Sequence, residues 1–468
     1  MSLHLTVDFG STYTKAVLFD LAAEKVVAVG YSPSTVGEDV REGLRAALKQ
    51  LGGAHDLKAI PCLACSSAAG GLRMVTIGLV PSLSLEAARR AALGAGAKVV
   101  GAFGYKLTAA DLDEIRSQKP DILLLAGGTD GGDEENIQFN AGQIGKLGLA
   151  IPVIVAGNRA AVAECEAILA SANVEAIVTP NILPEVDKLN VEPVHAEIRR
   201  IFMDRIVHAK GIDKVGEELD LSGPIVPTPR AILDAAQLLS EGSGREKGVG
   251  DVVVIDIGGA TTDIHSIASG APRTPGVVPR GLPELRAKRT VEGDLGMRVN
   301  APTVLQRVGP DAIVDMCRSI GGFDCVNAAT VQSYVERVGE DTSFVPTERE
   351  ELAIDAAIAG CAAQLAMIRH AGHLREVYTP NGTVLVQEGK DLTGTRMLIG
   401  VGGVVAHGRY ARPIMEAAFW SNARPMSLCP RSPELFVDRH YVLFGVGLLS
   451  RHFPLPALAI GRSELLPV

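Results

Sequence analysis

Aromatic residues are scarce, 4% of 468 residues with a single tryptophan, against 51 glycines and 47% hydrophobic residues. That shortage speaks against a large all-β sandwich. It favours buried strands rich in Val, Ile and Leu separated by glycine turns, and so the α/β class. Dense basic runs are missing as well: a formal charge of -9 is spread along the chain, leaving no track for phosphates and arguing against nucleic acid as a partner. No hydrophobic run approaches the roughly 20 residues of a bilayer span, and Met1 to Thr6 lacks the regions of a signal peptide, so a cytoplasmic protein with no membrane partner is expected. The seven cysteines are odd in number and dispersed, which excludes a disulfide framework. Cys62 and Cys65 form a C-x-x-C without a second pair at ligand spacing, and are expected to be buried small hydrophobes.

The length predicts two domains, 1–245 and 246–468, with the glycine- and charge-rich Glu241–Gly250 as the link between them. Leu3–Phe9 and Ala16–Phe19 read as a hairpin, and Val36–Leu51 and Leu85–Leu93 carry helical spacing. Short strands at Val99–Val100, Ile122–Leu125 and Ile151–Val155 alternate with helices, as in a largely parallel sheet. Between Asn181 and Gly223 a long amphipathic helix, apolar at Val194, Ile198, Ile201, Phe202, Ile206 and Val207, reads as a connecting or partner-facing element.

Repetition is the most informative feature. Val7-Asp8-Phe9-Gly10-Ser11-Thr12-Tyr13-Thr14-Lys15 is echoed by Ile255-Asp256-Ile257-Gly258-Gly259-Ala260-Thr261-Thr262-Asp263, and Leu123–Gly132 by Met397–Gly403, in the same order. Two duplicated domains facing each other across a cleft would give that pattern. A strand ending in Asp-x-Gly before a hydroxyl cluster places backbone N–H groups and hydroxyls around phosphate oxygens. Gly10, Ser11, Thr12, Thr14, Lys15, Gly258, Gly259, Thr261 and Thr262 are therefore the candidate phosphate binders, and Gly400, Gly402 and Gly403 the candidate bare backbone for adenosine. Asp8 and Asp256 need a cation to sit beside a triphosphate, and Mg²⁺ held through water fits them. Asp256 is assigned to align the attacking water, with Asp8 as the alternative. Glu292 and Asp294 are placed either on the cleft or in solvent, and the crowded Asp130, Asp133, Glu134 and Glu135 read as a solvated run.

These motifs resemble those of the actin, Hsp70 and sugar-kinase superfamily, with Leu5–Phe19 and Val253–Ile267 as its two phosphate motifs and Met397–Gly408 as its adenosine motif. Within it the chain is most similar to the glutamate mutase accessory protein family, called GlmL or MutL and distinct from the mismatch-repair protein of the latter name. Leu125–Gly132, Pro180–Pro184 and Val291–Arg298 carry that closer match. The resemblance implies an ATP-dependent reactivating factor for an adenosylcobalamin-dependent mutase, a slow ATPase whose hydrolysis changes the angle between domains so that damaged cobalamin is exchanged. ATP and Mg²⁺ are its expected cofactors and mutase subunits its expected partners, with a homodimer left open. The alternatives are a small-molecule kinase on the same fold, an ATP-dependent activator of a radical dehydratase, which would need clustered thiolates, and a nucleotide-dependent filament.

Overall fold

The computed structural model describes residues 2–10, 13–35, 39–52, 56–67, 72–209, 212–321, 323, 325–342, 344–380 and 382–468, with the backbone alone at 203, 205–209 and 212–213. The apolar alternation at the start forms β1 (Leu3–Phe9), which turns back as β2 (Tyr13–Asp20) and again as β3 (Lys25–Pro33), each pair antiparallel. Next comes α1 (Val40–Gln50), started by the Asp39 carboxylate, which accepts the Arg41 amide; it buries Val40, Leu44 and Ala47. β4 (Pro61–Ser66) lies parallel to β1. Cys62 and Cys65 stand three residues apart on this strand and so face opposite sides of the sheet, both fully buried. Burial pushes both thiols up.

A separate unit with its own sheet follows, inside the stretch that the sequence suggests is a single first domain. Its elements are β5 (Arg73–Gly78), α2 (Glu86–Gly94), β6 (Lys98–Gly104), α3 (Ala109–Ser117), β7 (Ile122–Leu125), α4 (Glu135–Gly145), β8 (Val153–Val155), α5 (Val162–Ser171), β9 (Ala176–Val178) and α6 (Glu192–Ala209). The five strands are all parallel in the order β6-β5-β7-β8-β9. Helices α2 and α6 cover one face and α3, α4 and α5 the other, which is why the strands read as continuous apolar runs. Helix α6 is thus the closing helix of this unit, with Val194, Ile198, Ile201 and Phe202 buried against it, and not a free connecting element; the side chains of Ile206 and Val207 lie outside the described residues.

Two short strands, β10 (Asp220–Leu221) and β11 (Val226–Pro227), return to pair parallel with β4, and α7 (Thr228–Glu241) follows. The glycine-rich link is a tight hairpin, β12 (Gly242–Ser243) and β13 (Glu246–Lys247). β14 (Val252–Ile257) and β15 (Thr262–Ile267) then open a second sheet. Beyond them lie β16 (Val278–Arg280), β17 (Ala287–Glu292), α8 (Ala301–Val308), α9 (Pro310–Gly321), α10 (Ala328–Glu340) and α11 (Arg349–His370). The chain continues through β18 (His373–Thr379), β19 (Gly382–Glu388), β20 (Met397–Val401), α12 (Gly403–Ala406), α13 (Ala411–Glu416) and β21 (Glu434–Val437). It ends in α14 (Leu443–Ser450), α15 (Pro454–Glu464) and β22 (Leu466–Pro467).

The second sheet runs β17-β15-β14-β20-β21 and the first β3-β2-β1-β4 with β10 and β11 beyond, strand for strand in the same senses. The duplication is therefore real, but the structural counterpart of β20 is β4. The echo between Leu123–Gly132 and Met397–Gly403 is overturned, because β7 belongs to the inserted parallel sheet; glycines end its strands for turns of its own. Among the described residues α11 alone has the length and hydropathy of a membrane span, a run longer than expected from the sequence, and 72% of that window is buried. It packs through Ala357, Ile358, Ala362 and Met367 into the core of the second repeat.

The repeats exchange helices: α7 lies on β14 and β15 of the second sheet, and α14 on β1 and β4 of the first. Their shared core includes Val17, Phe19, Leu239, Val254, Ile399, Leu443 and Val446. At Gly447 a methyl group would stand 1.8 Å from the Ala231 carbonyl oxygen of α7, so only glycine allows this helix crossing. Lys390, after β19, is wholly buried and donates to the carbonyl oxygens of Leu285, Arg286 and Ser266. Burial, with Lys288 adding to it, pushes its ammonium down to about 7. The unfolded chain then binds more protons than the folded one between that value and the ordinary lysine range of about 10.4, so this group's contribution to stability rises with pH across that window. The melting-temperature advantage of Lys390→Met over the wild type should accordingly fall between pH 7 and pH 9, by any scanning method; a gap independent of pH would contradict this.

Candidate functional site

Each repeat delivers its Asp-x-Gly through the same turn. The Gly10 amide donates to the Tyr13 carbonyl at 3.0 Å, and the Gly258 amide to the Thr261 carbonyl at 2.9 Å. A methyl group on Gly10 would lie 2.4 Å from the Tyr13 carbonyl oxygen, so that turn closes only around glycine. Strand pairing sets Asp8 opposite Lys15 and Asp256 opposite Asp263, so the position that carries a cation in the first repeat carries an anion in the second.

Asp8 is held from three sides. Its Oδ1 accepts the Thr228 hydroxyl at 2.6 Å and the Cys65 thiol at 3.5 Å, and its Oδ2 faces the Lys15 ammonium at 3.5 Å. Asp256 is half-buried, and its carboxylate accepts no hydrogen bond among the described residues. Its carboxyl is pushed up to about 7, first by burial and then by Asp263 and Asp8, with Lys15 and Arg289 pulling the other way. Lys15 and Asp8 come from the first repeat, so the two turns lie within electrostatic reach of each other. Asp263 is in turn pushed up by burial and restrained by Arg289, which donates to it at 3.3 Å and also to the Leu93 and Ala97 carbonyls at the end of α2.

Several expected site residues stand elsewhere. Thr14 is wholly buried on the face of β2 opposite Lys15, its hydroxyl turned toward Gly43 of α1, and Thr262 is wholly buried and donates to the Leu295 carbonyl. Both side chains are taken up by the interior of their own repeat. Gly400 makes room for Val405 and Met415, so it serves core packing. Gly402 does approach the site: its φ is +102°, and a methyl group there would lie 2.2 Å from the Ile257 carbonyl oxygen at the end of β14. Gly403 lies beside the Tyr441 hydroxyl. Gly259 and Thr261 sit on the second turn, and Ser11 and Thr12 lie outside the described residues. Glu292 and Asp294 are clamped by Arg369 at 2.6 and 2.8 Å rather than free on the cleft. Asp130 accepts from Asn181, and Asp133 from Asn136, so that glycine loop is tied by its own residues.

The structure adds residues that sequence reasoning missed. Thr228 and Cys65 reach Asp8 from α7 and β4, and Tyr441 lies under Lys15 with the ammonium 4.6 Å from its ring centroid. Asp256, whose carboxylate has no partner among the described residues, could hold Mg²⁺ through water, with Asp8 fixed in place nearby. When bound, that ion would supply neutralising charge to the β- and γ-phosphates.

Two sheets of one order, each ending in an Asp-x-Gly turn and the two turns within electrostatic reach of each other, define a duplicated actin-like fold. A family model described as MutL protein matches residues 4–465. A relative from Clostridium tetanomorphum, described as Protein MutL, is 42% identical over 472 residues and covers 100% of both chains. The chain belongs to the MutL protein family. Among solved structures, a nucleotide-free acetone carboxylase aligns at 13% identity over 96% of this chain and 70% of its own, with a TM-score of 0.39. A carbohydrate kinase from Novosphingobium aromaticivorans aligns at 14% over 100% and 93%, TM-score 0.34, and a glycerol dehydratase reactivase at 10% over 96% and 99%, TM-score 0.32. The order of the strands, the same in both repeats, carries the fold.

Proposed function

We propose that this protein is a slow ATPase that acts as an accessory protein, reactivating an adenosylcobalamin-dependent mutase of the glutamate mutase kind. The observation that carries the ATPase half is the pairing of the two turns: Asp256 of one repeat lies within reach of Lys15 and Asp8 of the other. In this reading Gly10, Gly258 and Gly259 bring backbone amides to the phosphates, Lys15 neutralises them, and Gly402 and Gly403 lie against the adenosine. Asp256, unengaged by protein donors among the described residues, aligns the attacking water, while Asp8 stays fixed by Thr228. Positioning and charge then supply most of the rate. Nucleotide turnover would work on the exchanged helices α7 and α14, whose packing fixes the angle between repeats, and a partner that binds the two angles unequally would be driven between states.

The mutase half is supported by membership of the MutL family. Its test uses a purified adenosylcobalamin-dependent mutase inactivated with hydroxocobalamin. Activity should return only when this protein, Mg²⁺–ATP and fresh adenosylcobalamin are all present. ATP hydrolysis without any rescue would overturn the partner assignment and leave the nucleotide site standing.

A further inference from the structure

Tyr441 stands out for its backbone as well as its ring. Its φ is +53°, in the left-handed region that bulky side chains rarely adopt and that clusters at functional sites. The segment that holds it carries the chain from β21 of the second sheet into α14, which packs on the first. Asp438, wholly buried, fixes that segment by accepting the Val442 and Leu443 amides at 2.9 Å each. The strained residue is thus pinned from its C-terminal side while its ring reaches the first repeat. There it lies under the Lys15 ammonium of the first repeat, with its hydroxyl beside Gly403 of the second.

In the first repeat the residue that starts the exchanged helix, Thr228, grips Asp8. At the start of the other exchanged helix Tyr441 grips Lys15, and these two contacts tie the turn of the first repeat to α7 and α14 alike. Among the described residues Lys15 is held by the Tyr441 face and by a loose ion pair with Asp8 at 3.5 Å. Any phosphate that recruits the ammonium must draw it away from both.

We infer that Tyr441 is a positioning residue that competes with the triphosphate for Lys15, so that nucleotide binding is read out directly at the segment leading into α14. This rests on the ATP site proposed above. The competition lowers ATP affinity and in return makes release of the Tyr441 ring conditional on phosphate capture.

Mg²⁺–ATP binding to the full-length protein tests this, by calorimetry on the wild type and on Tyr441→Leu, Tyr441→Phe, Lys15→Met and the double variant Lys15→Met/Tyr441→Leu. Leucine removes the π face but keeps apolar bulk, and phenylalanine keeps the face. Tyr441→Leu should bind ATP about threefold to tenfold more tightly than the wild type, the range set by a cation–π contact in a partly desolvated site. Tyr441→Phe should match the wild type, and in the Lys15→Met background the leucine substitution should change nothing. Unchanged or weaker binding by Tyr441→Leu, with Tyr441→Phe behaving the same way, would assign the ring a packing role alone and overturn the inference. A wild type that binds no ATP would overturn the nucleotide reading and this inference together.

Discussion

Replacing Asp256 with asparagine should abolish ATP hydrolysis and stabilise the protein at the same time. Loss of a carboxylate that aligns or deprotonates the attacking water costs about 10²–10⁴ in rate, with ATP binding largely retained. The stability gain follows from the raised carboxyl, pushed up to about 7 in the fold. A folded pKa above the unfolded value of about 3.9 means that the folded protein binds the extra proton between those values, so this group's stabilisation is lost as pH rises through 7. Asparagine escapes that loss. In the absence of nucleotide and divalent cation, Asp256→Asn should be more stable than the wild type at pH 8 by about 1–3 kcal/mol, and the difference should vanish near pH 4. A proposed catalytic residue that costs stability would be the expected trade-off. Denaturation curves at the two pH values check it, and a variant less stable than the wild type at pH 8 would contradict the electrostatics.

Arg289→Met should be the most damaging single substitution near the site. Arg289 is 6% exposed and serves Asp263 together with the Leu93 and Ala97 carbonyls, joining β17 to α2 of the inserted unit. Methionine keeps much of the volume but leaves Asp263 buried without its cation and two carbonyls without a donor. Removing one partner of a buried pair costs about 3–5 kcal/mol, most of it from the charge left behind. Adding Asp263→Asn to Arg289→Met should recover part of the loss, because the stranded charge goes. A double variant no more stable than Arg289→Met would place the cost in the α2 contacts instead. Arg289 also lowers the Asp256 carboxyl, so the single variant should show an ATPase pH profile shifted upward.

What was legible in the sequence is what local chemistry determines. The Asp-x-Gly turns need glycine for their own closure, and the run of Asp8, Gly10 and Lys15 against Asp256, Gly258 and Asp263 carries the duplication on its face. Strand alternation could have gone further: Asp8 and Lys15 are cross-strand partners on one face, so Thr14 must point to the other, and the structure buries it against α1. Gly400 was misread for a similar reason, since a glycine that admits a neighbouring side chain looks the same in sequence as one that admits a ligand. The inserted parallel sheet was visible as alternating strands and helices but not as a separate sheet, because sheet membership is set by pairing between distant strands. Thr228 lies 220 residues from Asp8, and no local pattern marks it. Tyr441 could have been found only through its unusual backbone, which sequence does not display.

In the proposed ATPase one ATP is held by both repeats at once. Titration calorimetry of Mg²⁺–ATP into the wild type, Lys15→Ala and Gly259→Asp tests it most directly. Lys15→Ala removes a cation from the first turn, and Gly259→Asp adds a repelling charge to the second, where the nearest atoms to a new methyl group lie 3.8 Å away on Arg298. One ATP per chain, bound at least about tenfold more weakly by each variant than by the wild type, is the predicted result. Two ATP molecules per chain, or full-strength binding by either variant, would contradict it.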